Sequence, residues 1–173
     1  ESGYGGLLFI NMSPRALVLN DFVQETRRIS AGFEIDPGRL VFEITERETI
    51  KNMALLERFI ATLRNEGFKL AIDDFGSGFS SFHYVKRFPI DFLKIEGDFI
   101  LGMKHSEKDR ALVRSIVALS RDLGIRTVAE YVEDEAVFEQ VLAQGIDLAQ
   151  GFHIHRPNIS LAEAMRGRTI TPV

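Results

Sequence analysis

The chain has no cysteine and no tryptophan among its 173 residues. Without cysteine there is no disulfide framework and no thiolate metal site, and nothing points to an oxidising compartment. Apolar runs of membrane-spanning length are missing, as is a signal peptide, so a cytoplasmic setting is the expectation. Positive charge is not in excess. The 21 Lys and Arg residues stand against 25 Asp and Glu, a formal net charge of −4, which leaves no polycationic footprint for DNA. A polyanionic ligand would bind only where local cations offset the acids. The 14 phenylalanines read as core packing, not as a stacking platform for single strands.

What the chain does have is a repeated pattern of short apolar strand, polar residue and helix. Leu7–Ile10 leads to Asn11, and Ser13-Pro14 marks a helix start that the pattern carries to about Ser30. Leu40–Thr45 is a strand, followed by a helix over about 53–65 with Leu55, Leu56, Phe59, Ile60 and Leu63 on one face. Lys69–Asp74 is a strand and 80–86 a short helix. Phe92–Ile95, Arg126–Ala129 and Leu148–Gln150 read as further strands. Helices are expected over about 108–123 and from an Asp134 cap to about Gln144, with a last short one capped by Ser160. Six βα units imply a parallel sheet with right-handed crossovers. An open doubly wound sheet and a (β/α) barrel both fit. No Gly-x-Gly-x-x-Gly follows the first strand, which weakens the first option. The barrel needs eight strands, and two are missing.

Polar residues recur at the strand ends: Asn11, Glu43 with Glu46, Asp73 with Asp74, Lys94, Glu130 and Gln150. Leu70-Ala71-Ile72-Asp73-Asp74 is the most informative of these stretches. Neighbouring strand residues point to opposite faces, so two consecutive acids cannot both be ordinary surface residues. In a parallel barrel the C-terminal strand ends converge on one rim, where unpaired carboxylates would repel one another. Divalent cations relieve that repulsion, and all-oxygen ligands select hard ions such as Mg²⁺ or Mn²⁺. Such a set suits a two-metal site for phosphodiester cleavage. Taken singly, Glu43 reads as an outward strand residue, Lys94 as a snorkelling strand end, Glu130 as part of a solvated acidic loop, and Gln150 as a core amide. His153 and His155 share one face of an extended segment but have no acid or third histidine nearby in sequence to complete a metal set.

Together these segments resemble the EAL-domain family of bacterial cyclic-di-GMP phosphodiesterases. The carriers are Ile10-Asn11-Met12-Ser13-Pro14, Phe42-Glu43-Ile44-Thr45-Glu46, Asp73-Asp74-Phe75-Gly76-Ser77-Gly78-Phe79-Ser80-Ser81, Leu93-Lys94-Ile95, Val128-Ala129-Glu130 and Gln150-Gly151-Phe152. The resemblance implies one α/β domain over 1–173, a TIM-like barrel incomplete at its N-terminus. It implies two Mg²⁺ or Mn²⁺ ions held by Asn11, Glu43, Asp73, Asp74 and Glu130, with Asp73 as the bridge. Lys94 would orient the attacking water, Gln150 would help place it, and Glu46 would hold the loop from Phe75 to Ser81. The implied reaction is hydrolysis of cyclic-di-GMP to the linear dinucleotide by a homodimer, with sensor or cyclase modules flanking it in the parent protein.

Three departures stand out. The Glu-Ala-Leu motif is absent, so the chain reads as a fragment beginning after it, which accounts for the two missing strands; by the resemblance one metal carboxylate and a substrate-contacting arginine are missing with it, and the isolated chain is expected to be impaired. Glu96 stands where the family usually has Asp, close enough to displace Lys94. Tyr131 stands where it usually has Gly. A non-catalytic cyclic-di-GMP receptor is the alternative function.

Overall fold

The computed structural model describes residues 5–13, 15–16, 21–47, 53–77 and 85–158. These residues fall into two compact units, one from Gly6 to Lys94 and one from Ile95 onward.

The first unit holds β1 (Leu8–Asn11), α1 (Phe22–Gly32), β2 (Leu40–Thr45), α2 (Met53–Asn65), β3 (Lys69–Phe75) and β4, which starts at Phe92 and ends on Ile95. β1 pairs in parallel with β2, and β2 with β3, in the registers Asn11↔Glu43 and Thr45↔Asp73. β4 follows β3 in the sheet, so strand order equals chain order. A doubly wound sheet reverses order at its switch point; these four strands do not. They show the singly wound arrangement of a (β/α) barrel.

The two strand faces have different tasks. On one, Phe42 packs edge-on against Phe22 of α1 and against Phe68, and α2 contributes buried Leu56, Phe59, Ile60 and Leu63. On the other, Phe9 of β1 meets Phe92 of β4 with ring centroids 5.1 Å apart. In a flat sheet three strand spacings would separate those strands by about 14 Å. The sheet of this unit is therefore curled, with Phe9 and Phe92 on its concave face. Asp91 ties the β3 start in place by accepting hydrogen bonds from the Leu70 N–H at 2.9 Å and Arg64 Nη1 at 2.7 Å.

The second unit holds α3 (Gly97–Gly102), α4 (Glu107–Asp122), β5 (Arg126–Ala129), α5 (Glu135–Gln144) and β6 (Leu148–Ala149). β5 and β6 are parallel. Asp147 accepts hydrogen bonds from the Thr127 N–H and hydroxyl at 2.7 and 2.8 Å. Asp134 caps α5 by accepting from Val137 N–H at 2.9 Å, and Gly145 ends it with φ +69°.

Strand limits match the sequence reading to within a residue. The first helix does not: a helix from Ser13 is replaced by a short 3₁₀ turn at Arg15-Ala16 and a helix starting at Phe22. Ser13 still acts as a cap, its hydroxyl accepting from Arg15 N–H at 3.3 Å. α3 is not among the helices expected from the sequence. Of the expected 80–86 helix, Val85–Arg87 is helical. Pro14, the loop residues Gly78–Ser81 and the Ser160 cap lie outside the described residues.

Candidate active site

In the first unit the polar strand ends meet on the concave face. Glu43 follows Val41 on that face by strand alternation, and Asn11 sits beside it by register. Glu43 and Lys94 are buried. The Lys94 ammonium lies 3.0 Å from Glu43 Oε1 and 2.9 Å from Asp73 Oδ1. Lys94 thus keeps two carboxylate partners, and the longer Glu96 does not displace it. The Lys94 ammonium is the close partner of Glu43 Oε1.

Alternation alone would send Asp74 away from Asp73. Instead each offers an oxygen within 4.8 Å of the other's. Asp74 has φ +54°, a left-handed conformation that Asp tolerates better than most residues, and this breaks the strand period. Asp73 Oδ1 also accepts from the Asp74 N–H at 3.1 Å. Burial, and then the Asp73 charge, raises the Asp74 pKa above the ordinary carboxylate range. Burial raises that of Glu43 as well; Lys94 opposes the shift and Asp73 adds to it.

Glu46 is fully buried. Its Oε2 accepts the Gly76 N–H at 2.9 Å, where the chain leaves β3 with φ +108°. Four carboxylates (Glu43, Glu46, Asp73 and Asp74) thus belong to a neighbourhood with one buried ammonium. With Lys94 charged and the Arg47 guanidinium also acting on Asp74, the balance is still negative. Oxygen donors and excess negative charge are together what suits a hard divalent cation.

In the second unit Glu130 is buried directly after β5, and Gln150 directly follows β6. They line one cavity of about 200 Å³ with Tyr131, Glu133, Gly151 and Phe152. Tyr131 is the family departure noted beside Glu130; Glu133 and Phe152 are not among the site residues expected from the sequence. Their signal was adjacency to Glu130 and Gln150. His153 pairs with Glu135 at 3.1 Å and packs on Phe138. It belongs to no group of three metal-ligating side chains among the described residues.

Residues 3–157 match the EAL domain family. The chain belongs to that family. It is 38% identical over 148 residues to cyclic di-GMP phosphodiesterase PdeB of Shewanella oneidensis, covering 86% of this chain and 17% of that protein. The chain spans about a fifth of the length of the curated relatives it matches. Among solved structures, the EAL domain of Mycobacterium smegmatis DcpA superposes with a TM-score of 0.84 at 34% identity, over 94% of this chain and 74% of that one. The manganese and cyclic-di-GMP complex of Klebsiella pneumoniae BlrP1 gives 0.83 at 34% identity, over 87% and 39%. The α/β barrel class expected from the sequence is thus that of the EAL fold, of which this chain covers part. Among the described residues no helix is long and apolar enough to cross a membrane.

Proposed function

We propose that this EAL chain forms the body of a metal-dependent phosphodiesterase that opens cyclic-di-GMP to the linear dinucleotide. The observation that carries the reading is the buried Glu43–Lys94–Asp73 group with Asp74 and Asn11 at the same strand ends. In support, PdeB is named a cyclic di-GMP phosphodiesterase, and BlrP1 has been solved with manganese and cyclic-di-GMP.

Asn11, Glu43, Asp73 and Asp74 would hold two Mg²⁺ or Mn²⁺ ions, with Glu130 added on the family resemblance. Two such ions, when bound, acidify a water and stabilise the attacking and leaving oxygens of an in-line displacement. Lys94 orients that water and offsets phosphate charge. Gln150 helps place it. A single EAL-type domain, a homodimeric assembly, flanking sensor or cyclase modules and a cytoplasmic bacterial setting belong to the same proposal.

Glu46 is assigned to the loop. Glu46→Ala leaves the Gly76 N–H without its carboxylate acceptor. It is expected to weaken Mn²⁺ affinity about ten- to a hundredfold while shifting the melting temperature by only a few degrees. Glu46→Gln, which keeps an acceptor oxygen, should stay near wild type. Wild-type Mn²⁺ affinity in Glu46→Ala would remove Glu46 from the mechanism.

The overall test is product analysis. Cyclic-di-GMP incubated with Mn²⁺ and the chain, with the upstream strands of its parent protein restored, should yield the linear dinucleotide by chromatography, and a chelator should stop it. Tight binding without product would favour the receptor instead.

A further inference from the structure

Tyr131 stands at an irregularity in the second unit. Gln150 N–H donates to Ala129 O at 2.8 Å, and Gln150 O accepts from Val132 N–H at 3.1 Å. A regular parallel ladder would take that second bond from residue 131. Glu130 and Tyr131 therefore stand together opposite Gln150, which makes a bulge. Bulges of this kind re-aim side chains, and their left-handed position ordinarily belongs to glycine. Tyr131 occupies it with φ +53°, an outlier for a bulky residue.

A second glycine makes room for the ring. A Cβ on Gly97 would fall 2.2 Å from Tyr131 Cδ2 and 2.7 Å from Cε2. The ring edge is thus seated on the first residue of α3. Even so, Tyr131 stays 58% exposed and walls the cavity that Glu130 and Gln150 line. Phe152 is the other exposed aromatic there, but Arg156 covers one side of its ring at 4.9 Å. A strained aromatic that leaves its ring in solvent contributes little to a core. Beside two proposed catalytic residues it offers a stacking surface. The cavity, about 200 Å³, is below the roughly 300–1,000 Å³ of sites for drug-sized ligands, a size for one base and not a whole dinucleotide.

We infer that Tyr131 is a substrate-binding residue whose ring, seated on Gly97, stacks on one purine base of the substrate; this rests on the phosphodiesterase reading. Aromatic faces bind bases through stacking, with little dependence on the base's edge.

The test uses the full chain, with calorimetric titration of cyclic-di-GMP in Ca²⁺ and steady-state hydrolysis in Mn²⁺. Tyr131→Gly keeps the left-handed backbone and removes the ring. It is expected to raise Kd and KM about ten- to a hundredfold with kcat nearly unchanged. Hydrolysis of bis(p-nitrophenyl) phosphate, which carries no base, should not change. Tyr131→Phe should match wild type. Gly97→Ala, which displaces the ring, should reproduce the loss alone and add nothing in the Tyr131→Gly background. Wild-type affinity in Tyr131→Gly, even with lowered thermal stability, would reduce the ring to a packing group and overturn the inference. Equal slowing on bis(p-nitrophenyl) phosphate would overturn it too, pointing to placement of Glu130. A wild-type chain that neither binds nor opens cyclic-di-GMP would sink the functional reading itself, and this inference with it.

Discussion

Asp73→Asn is expected to lower turnover of cyclic-di-GMP by about three orders of magnitude or more while leaving the fold in place. Asparagine has the same shape and keeps an oxygen that can accept the Asp74 N–H and the Lys94 ammonium, the two partners of Asp73 Oδ1. What it removes is one negative charge. In the metal-free chain that removal relieves repulsion, since the Asp73 charge contributes to the raised pKa of both Glu43 and Asp74. The unfolding midpoint without metal should therefore be unchanged or higher. Midpoint and turnover should move independently, which a merely structural carboxylate would not allow. Equal activity in the variant would remove Asp73 from the site.

Lys94→Met should act in the opposite sense on stability. It leaves buried Glu43 and half-buried Asp73 without their shared cation. Breaking a buried pair from one side costs about 3–5 kcal/mol, so the metal-free variant should melt far below wild type or be only partly folded. A divalent cation should restore part of this, because a ligand of the native state adds stability by mass action, about 2.7 kcal/mol at a hundred times its Kd. Turnover should stay low even when stability returns, since the group proposed to orient the water is gone. Rescue of folding without rescue of turnover separates the two tasks of Lys94. If saturating Mn²⁺ and Mg²⁺ leave the melting curve unmoved, the carboxylates around Lys94 do not form a cation site.

Acidity offers a further check. Glu43 and Asp74 hold protons in the folded chain at higher pH than they do unfolded. Their contribution to metal-free stability is therefore fully present below the ordinary carboxylate range and is lost as pH rises through the raised values. Metal binding needs the ionised forms. Mn²⁺ affinity should thus begin to fall on acidification while still above the ordinary carboxylate range. Affinity that is flat until that range is reached would show that these two groups do not compete with the ion.

Much of this site was legible in the sequence because a strand has a period of two and a short apolar run has clear ends. Val41-Phe42-Glu43 and Phe92-Leu93-Lys94 place their polar residues on the same face as their aromatic or aliphatic partners two positions earlier, and the structure keeps that order. The convergence of Asp73 and Asp74 came from the family resemblance and not from strand alternation, because it depends on a backbone angle at Asp74 that breaks the period. Tyr131 showed itself as a departure from the family pattern. The reason it can exist, an unobstructed Cα at Gly97, lies 34 positions earlier in the chain and leaves no local trace. The same holds for Asp91, whose partners Arg64 and the Leu70 N–H come from other elements. α1 began later than Ser13-Pro14 suggested, because a cap and a proline mark the start of a turn as readily as the start of a helix.

The most direct measurement is a titration of Mn²⁺ into the metal-free chain, followed by calorimetry and by the electron paramagnetic resonance of free ion. Two ions per chain are expected, with at least one lost in Asp73→Asn, and opening of cyclic-di-GMP should rise only as the second ion binds. A chain that binds no Mn²⁺ yet hydrolyses the dinucleotide, or one that binds two ions equally well without Asp73, would contradict a metal pair built on these carboxylates.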